Sequence, residues 1–267
     1  MAISMWHATC FVTCAWLSAT YLMTKSAFFY VQPTLLDREL HRNLKVRPLT
    51  DVRFAAEATA VPVLSVEWAE SCLEYPIVFS KGKDGQWLSL AVTGLRDGQN
   101  LFVDEDGRWT GRYVPACLRR YPFVLVQDAA ADKLGVAIDT GSEAVGEDIE
   151  GGVPLFEGSG EPAPALQSVL QLLGEFQAQA GATHQFVQRL MDAGLLVETN
   201  MEVKGRHGQV ANLLGSCVVN EAKLRELDSN QVFELFQSGE LAMVYAHLLS
   251  LRNLIGMLER QVKRSAH

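Results

Sequence analysis

The densest cluster of side chains that could bind a ligand lies in residues 108–123, which we call the arginine–aromatic segment. Its candidate binding residues are Arg108, Trp109, Arg112, Tyr113, Arg119, Arg120 and Tyr121. Guanidinium groups beside aromatic rings bind carboxylates, phosphates or sugars through forked hydrogen bonds and stacking. The same groups can instead form an internal network with Asp104, Asp106 or the acidic residues that follow. The segment therefore predicts either a site for a protein partner or a small acidic ligand, or a structural network.

The common catalytic and nucleotide-binding motifs are missing from this sequence. It has no G-x-x-x-x-G-K-[ST], G-x-G-x-x-G, G-x-S-x-G or H-E-x-x-H. The histidines show no close pair and no His-x-Asp or His-x-Glu spacing, so we predict neither a metal site nor a cofactor. We expect a protein that is not an enzyme. The alternative is a metal- or flavin-linked enzyme whose site is assembled from distant residues, with His184, His207 and His247 as candidates.

Two other groups of residues invite a chemical interpretation but fit a structural one better. The run Asp104–Gly107 resembles the start of a calcium loop, yet Pro115 stands where such a loop carries its bidentate glutamate. An Asp-Gly pair at this place is typical of a hairpin turn. The five cysteines include no C-x-x-C pair. Cys72 and Cys117 lie in apolar surroundings, which favours buried free thiols over a reactive cysteine.

Short apolar runs joined by turn-forming residues dominate the sequence up to about residue 140. A short helix is expected from Glu67 to Leu73. The predicted strands are Ile77–Phe79, Trp87–Val92, Asn100–Val103, Phe123–Gln127 and Val136–Ile138. The Lys-Gly and Asp-Gly turns between several of them indicate antiparallel hairpins. We therefore expect a meandering sheet over roughly residues 60–140.

The residues from Gln127 to Glu161 carry the whole net charge of the chain. They include nine acidic residues and one lysine, which gives −8, together with several glycines. Such a composition is typical of a solvated, loop-rich connector. A calcium site and an acidic docking surface are the alternatives.

Beyond the connector the apolar residues recur with helical spacing. One helix is expected around residues 166–176, and a second is expected to be capped by Thr183 and ended by Gly194. Two strands, Leu195–Lys204 and Gln209–Val219, would form a small hairpin. Asn220 and Ser229 are candidate caps of two short helices.

The last predicted helix has the strongest periodicity in the chain. Its heptad-like positions are Leu241, Val244, Leu248, Leu251, Ile255, Leu258 and Val262. Such a seam suits a coiled-coil partner, so a homodimer through residues 241–262 is one interpretation. The other faces are apolar too, which favours a helix packed inside the protein.

Composition sets the broad class. The chain has 267 residues, 48% hydrophobic and 20% charged, with a net charge of −8. These values are those of a globular protein and exclude a disordered one. The negative charge argues against a nucleic-acid partner. We predict an α+β fold: an antiparallel, β-rich part over residues 23–150, and a mainly helical part with a small hairpin over residues 151–267, packed as one unit.

The first 22 residues carry no Asp, Glu, Lys or Arg. A secretory signal would need a basic start, and a comfortable membrane span would need more apolar residues. We interpret residues 1–22 as a non-native or dispensable extension, with translation starting at Met23; a weak signal and a structured helix are the alternatives. We expect a cytoplasmic protein without an integral membrane span. If residues 1–22 direct export, the cell surface is the alternative location.

Several blocks of this sequence resemble the bacterial SapC family, in the family's order. They are Tyr75–Phe79, Gly98–Asp104, Gly107–Trp109, Tyr113–Phe123, Pro154–Phe156, Gly194–Leu196 and Tyr245–Asn253. The similarity extends over about residues 28–260. It is specific to the family and is distinct from the peptide-transport permease of the same name, which needs several membrane spans.

The resemblance implies a role rather than a reaction. The family is named after a surface-layer-associated protein of a Gram-negative bacterium, and it offers no catalytic residues to place on this chain. Its members tend to occur beside TonB-dependent receptors, tryptophan-halogenase-like flavoproteins and hydroxylase-like proteins. We therefore expect an accessory or binding protein that serves a modification or uptake system. A structural protein of the surface layer is the alternative.

Overall fold

The computed structural model describes residues 29–82, 85–128, 133–205 and 210–265. The strands are β1 (Pro33–Leu35), β2 (Lys45–Val46), β3 (Ala60–Pro62), β4 (Ile77–Lys81), β5 (Trp87–Val92), β6 (Phe123–Asp128), β7 (Lys133–Asp139), β8 (Val145–Gly146), β9 (Val153–Pro154), β10 (Leu196–Lys204) and β11 (Val210–Val219). The helices are α1 (Trp68–Ser71), α2 (Ala116–Arg119), α3 (Pro164–Asp192), α4 (Glu221–Arg225), α5 (Ser229–Gln237), α6 (Glu240–Ser250) and α7 (Asn253–Ser265), with 3-10 turns at Arg53–Ala55 and Ser65–Glu67. Antiparallel sheets dominate the N-terminal half and helices the C-terminal half, which confirms the α+β class.

The largest sheet joins strands from both halves of the chain. Its order is β10-β11-β4-β5-β3, with antiparallel neighbours throughout. Strands β4 and β5 form the predicted hairpin, in which Ile77 pairs with Ala91 and Lys81 with Trp87. Strand β11 reaches β4 through the pair Cys217–Phe79. The predicted hairpin β10–β11 is also present.

The prediction of one meandering sheet over residues 60–140 is wrong. Strands β6 and β7 form a separate sheet with β1, and β2 pairs with β8 and β9 in a third. The run Asn100–Val103 is a buried turn rather than a strand, and the amides of Asn100 and Leu101 join it to the carbonyls of Ala56 and Thr93. Apolar runs indicate burial, but they do not say which runs pair.

The turn at Asp104–Gly107 is confirmed. The amide of Gly107 donates to the carbonyl of Asp104 at 3.1 Å, and the amide of Asp104 donates to the carbonyl of Arg108 at 3.0 Å. Gly107 has φ +78°, and a Cβ at this position would collide with the side chain of Asp51. The turn therefore requires glycine there.

The described residues 133–161 contain strands β7, β8 and β9, so the interpretation of a loop-rich connector is wrong for this part of the stretch. Strand β7 ends at Asp139, whose side chain is fully buried. Its carboxylate accepts hydrogen bonds from the amides of Val31 and Gln32, at 2.8 and 2.7 Å. Leu155 and Phe156 are also buried. Acidic composition predicts solvation, but a carboxylate with several donors can be buried.

Helix α3 is continuous from Pro164 to Asp192, so the predicted break and cap at Thr183 are wrong. The Thr183 hydroxyl donates to the carbonyl of Gln179 at 2.7 Å and accepts from the amide of Ser65 at 2.8 Å. A threonine inside a helix can bond back to the preceding turn in this way. The predicted stop at Gly194 is confirmed, with φ +65°.

The N-caps of the two short helices that follow were predicted correctly for α4 and one residue too late for α5. Asn220 caps α4 as predicted, because its side chain accepts from the amides of Ala222 and Lys223. Helix α5 is capped by Asp228 rather than by Ser229. Both residue types suit an N-cap, so sequence alone could not separate these neighbours.

The terminal helix is divided into α6 and α7, and its buried face differs from the predicted heptad seam. The buried residues are Glu240, Val244, His247, Ser250, Leu254, Met257, Leu258 and Gln261. Ile255 and Val262, both in the seam, are 42% and 40% exposed. Among the described residues, Glu240–Ser265 is also the helical stretch long and apolar enough to cross a membrane by length and composition. A helix with one face against a sheet can have the same composition.

His247 connects α6 to the main sheet. Its side chain is fully buried, and Nε2 accepts a hydrogen bond from the amide of Val219 at 3.0 Å. Its ring centroid lies 4.9 Å from that of Phe79. Burial lowers the pKa of His247 to about 4 from the ordinary 6.5, so the ring is neutral at pH 7.

The buried histidine makes stability depend on pH. As the pH falls, His247 takes up its proton in the unfolded chain near pH 6.5, but in the folded protein only near pH 4. The neutral, buried ring therefore stabilises the fold fully above pH 6.5, and this contribution is lost as the pH falls towards about 4. Between about pH 7 and about pH 4.5 we expect it to remove about 2–3 kcal/mol from the free energy of unfolding. His247→Gln keeps an acceptor for Val219 without the titration, so its urea unfolding should vary less with pH than that of the wild type. His41→Gln, in a surface turn, is the control, and equal pH dependence in all three proteins would contradict the prediction.

Candidate functional site

The arginine–aromatic segment runs from the turn at Asp104–Gly107 through α2 into β6. Its seven candidate residues divide into two groups. Trp109, Tyr113, Arg120 and Tyr121 contact the protein interior, whereas Arg108, Arg112 and Arg119 are exposed. The structure therefore holds one side of the segment in a network and leaves three guanidinium groups on the surface.

Trp109 anchors the first part of the segment. Its Nε1 donates to the phenolic oxygen of Tyr75 at 3.1 Å and to the carbonyl of Tyr113 at 3.0 Å. The indole ring stacks on Phe102, with centroids 5.7 Å apart and planes at 20°. Tyr75 is fully buried and donates to the same carbonyl of Tyr113. The loop from 102 to 113 is therefore fixed by these side chains together with its own backbone bridge between Val103 and Trp109.

Glu67 anchors the middle of the segment, and sequence reasoning missed it. This carboxylate is 4% exposed and lies at the end of the 3-10 turn before α1. Its Oε1 accepts from the Tyr113 hydroxyl and from the Ala116 amide, each at 2.7 Å, and its Oε2 accepts from the Leu64 amide at 2.8 Å. A lone glutamate before a tryptophan gives no signal of this role, because two of its three donors come from residues about 50 positions away.

Arg120 and Tyr121 belong to the interior. The Arg120 guanidinium lies 4.2 Å from the ring centroid of Phe176, and the residue is 7% exposed. The Tyr121 ring stacks on Phe54 at 3.9 Å, and its hydroxyl donates to Asp139 at 3.0 Å. Burial, together with the hydrogen bond to Asp139, raises the pKa of Tyr121 to about 12, so the phenol remains a donor.

The three exposed arginines are supported by these anchors. The Arg119 Nε donates to the carbonyl of Val114 at 3.0 Å, and its Nη2 contacts the Tyr113 hydroxyl at 3.3 Å. The backbone amide of Arg112 donates to the carboxylate of Glu74, and the residue is exposed. The Arg108 side chain is 74% exposed and lies 3.8 Å from Asp106. Each exposed guanidinium group therefore extends from a backbone that hydrogen bonds and side-chain contacts fix.

A fourth arginine reaches the segment from α7. The Arg260 guanidinium lies 4.5 Å from the ring centroid of Phe102, and its Nη1 contacts the Thr110 hydroxyl at 3.3 Å. One turn later, Arg264 donates to the carbonyl of Asn100. These residues were missed because they are more than 130 positions from the segment, and only the basic end of α7 hinted at a contact with acceptors.

The cysteines and histidines that were candidates for a catalytic or metal-binding role do not form a cluster at the arginine–aromatic segment. Cys117 is buried, and burial raises its pKa to about 12, which disfavours the nucleophilic thiolate. His247 lies in the core, His184 lies on α3, and His207 is outside the described residues. Across the described chain, no three His, Cys, Asp or Glu side chains are grouped so that they could hold a metal ion.

Two surface cavities lie away from the segment. One of about 300 Å³ is formed between the end of α3 and α5, and four leucines line it: Leu190, Leu195, Leu227 and Leu235. The other, of about 410 Å³, is lined mainly by polar residues that include Arg42, Lys45, Glu147 and Asp148. None of the seven candidate residues lines either cavity.

Comparison with known proteins gives the family. The SapC family model matches residues 36–257, most of the chain, so this chain belongs to the SapC family. The resemblance in the sequence blocks is thereby confirmed. No curated protein and no solved structure matches the chain. Membership identifies the family and leaves the activity to be argued from the site.

Glu67 should be essential for the position of the segment. Glu67→Ala leaves the Leu64 amide, the Ala116 amide and the Tyr113 hydroxyl without their acceptor, which should cost about 3 kcal/mol of unfolding free energy. Tyr113→Phe removes one of these three donors, together with the longer contact of its hydroxyl with Arg119, and should cost about 1 kcal/mol. Glu70→Ala, exposed on the next turn, is the control and should change stability by less than about 0.5 kcal/mol. Chemical denaturation measures all three, and equal effects of Glu67→Ala and Glu70→Ala would refute the anchoring role.

The neighbouring arginines Arg119 and Arg120 should respond differently to charge reversal. Arg120→Glu puts a carboxylate against the ring of Phe176 in the interior and should destabilise the fold by about 3 kcal/mol. Arg119→Glu alters an exposed side chain and should cost less than about 1 kcal/mol. Thermal melting of the two variants measures the difference, and similar melting temperatures would show that Arg120 is not a structural residue.

Proposed function

We propose that this chain is an accessory or binding protein of a Gram-negative bacterium, without catalytic activity of its own. Its binding surface is the exposed side of the arginine–aromatic segment, formed by Arg108, Arg112 and Arg119. The partner is a protein with an acidic surface or a small acidic ligand. The proposal is supported chiefly by one observation: three exposed guanidinium groups stand on a segment whose other side is anchored by Glu67 and Trp109.

The anchoring favours binding for an energetic reason. Ordering a flexible loop on binding costs free energy, and a segment that is already fixed avoids much of that cost. Arginine also presents a planar group that can bind a carboxylate through two hydrogen bonds. In a chain with a net charge of −8, a local group of arginines should steer an acidic partner towards this surface.

The protein is proposed to act as an accessory to a modification system or a TonB-linked uptake system, and to lie in the cytoplasm. Two observations support this: members of the SapC family tend to occur beside TonB-dependent receptors and modification enzymes, and the sequence lacks catalytic motifs. An accessory protein of this kind needs a recognition surface rather than a reactive group. The arginine–aromatic segment offers such a surface, and the one thiol within it, Cys117, is buried.

Two double variants with the same change in net charge test the proposal. Arg112→Glu with Arg119→Glu reverses two charges on the segment. Arg38→Glu with Arg225→Glu reverses two exposed charges elsewhere, each of which lies in a surface ion pair. Tagged proteins are purified from the native host, co-purifying proteins are quantified by mass spectrometry, and bound small molecules are sought by native mass spectrometry.

We expect the wild type and the control variant to retain the same partner or ligand, and the segment variant to lose it by about tenfold or more. All three proteins should keep similar melting temperatures, because exposed charges contribute little to stability. Retention of the partner by the segment variant, or equal loss from both variants, would refute the assignment of this surface.

A further inference from the structure

The larger of the two surface cavities, which we call the charged cavity, is built on the three-stranded sheet β8-β2-β9. Its volume of about 410 Å³ lies within the range of cavities that bind small molecules. Its charged residues come from the turn before β2, from β2 itself and from the loops after β8 and β9. They are Arg42, Lys45, Glu147, Asp148 and Glu157. The cavity therefore collects both signs of charge on one concave surface.

Lys45 lies on the central strand of this sheet. Its neighbours across the two strand pairs are Gly146 of β8 and Pro154 of β9. Neither neighbour carries a charge that could neutralise the lysine, and Gly146 has no side chain that could cover it. Both outer strands then continue into the acidic residues of the cavity. The sheet therefore places one lysine between two acidic loops.

The charged groups of the cavity do not neutralise one another. Over the described residues, no hydrogen bond or ion pair is formed by the side chains of Lys45, Glu147, Asp148 and Glu157. Arg42 donates to the carbonyl of Gly158, which leaves other N–H groups of its guanidinium for a ligand. The cavity therefore offers charged groups of both signs to a molecule that enters it.

We infer that the charged cavity binds a small zwitterion with one excess positive charge, as a free basic amino acid has. Two positive and three negative side chains line the cavity, so a ligand with two positive groups and one negative group balances them. The carboxylate of the ligand lies at Arg42 and Lys45, and its two cationic groups lie at the acidic loops. Phe156, which is 8% exposed and also lines the cavity, contacts the methylene groups of the ligand.

The charges and their arrangement favour this ligand over other classes. An acidic ligand would meet three carboxylates, and like charges repel. A metal ion needs ligands that converge on one point, and no such group of His, Cys, Asp or Glu exists in the described part of the chain. A neutral sugar would leave the charged groups unmatched. The inference is independent of the proposed binding surface, because none of the cavity residues belongs to the arginine–aromatic segment.

Three small molecules test the inference with the full-length protein. L-Arginine carries all three charged groups, agmatine lacks the carboxylate, and L-norleucine lacks the charge on the side chain. Nuclear magnetic resonance titration of the isotope-labelled protein follows their binding. We expect saturable binding of L-arginine, with shifted amide signals in residues 42–45, 146–148 and 154–158, and binding of the other two that is weaker by about tenfold or more. No saturable binding of L-arginine, shifts that gather outside the cavity, or equal affinities for the three molecules would overturn the inference.

Variants of the cavity assign the two ends of the ligand. Lys45→Met keeps the aliphatic chain without the ammonium group, so it should weaken L-arginine by about tenfold and should not weaken agmatine. A merely distorted cavity would lose both molecules, and that result would overturn the role of Lys45. Glu147→Gln with Asp148→Asn should weaken both molecules by about tenfold or more. Glu143→Gln with Glu150→Gln, exposed in the same stretch but outside the cavity, is the matched control, and equal effects of the two double variants would refute the proposed site.

Discussion

The protein depends on one buried junction, at which side chains from four elements meet beneath the central strand of the main sheet. They are Trp68 of α1, Phe79 of β4, Phe186 of α3 and His247 of α6. Trp68 contacts both Phe79 and Phe186, at centroid distances of 5.6 and 5.3 Å. Since β4 also receives β11 through the pair Cys217–Phe79, the junction holds the C-terminal hairpin and helices against the N-terminal sheet. Aromatic pairs in this range contribute more than their buried area alone.

Buried carboxylates perform a similar role where strands are short or missing. Glu67 gathers donors from two segments that approach it, and Asp139 gathers the Val31 and Gln32 amides and the Tyr121 hydroxyl. Each carboxylate is buried, so removal of its donors would leave a charge with no compensation. Glu67 therefore fixes the loop that carries Tyr113 and Ala116, and Asp139 fixes Tyr121 against the N-terminal loop.

The sequence predicted the local features well, and the long-range ones poorly. The turn at Asp104–Gly107, the stop at Gly194 and the cap at Asn220 each depend on a few consecutive residues, whose chemistry is visible in the sequence. The pairing of β11 with β4 and the burial of Asp139 depend on residues about a hundred or more positions away. Thr183 shows the same limit, because its partner Ser65 lies on another element and only the fold reveals that the threonine continues a helix.

For the candidate site, too, the residue types could be read from the sequence, but the contacts of each residue depend on the fold. Arginine and aromatic residues are suited both to binding and to internal contacts, so residue types alone could not assign the individual members of the segment. The fold separates them by burial: Arg120 covers the ring of Phe176, whereas Arg119, one residue earlier, remains exposed. On a short helix such as α2, adjacent side chains point about 100° apart, so neighbours can serve the interior and the surface at once. The buried half of the segment therefore strengthens the argument for binding by the exposed half, because it fixes the backbone from which the exposed guanidinium groups extend.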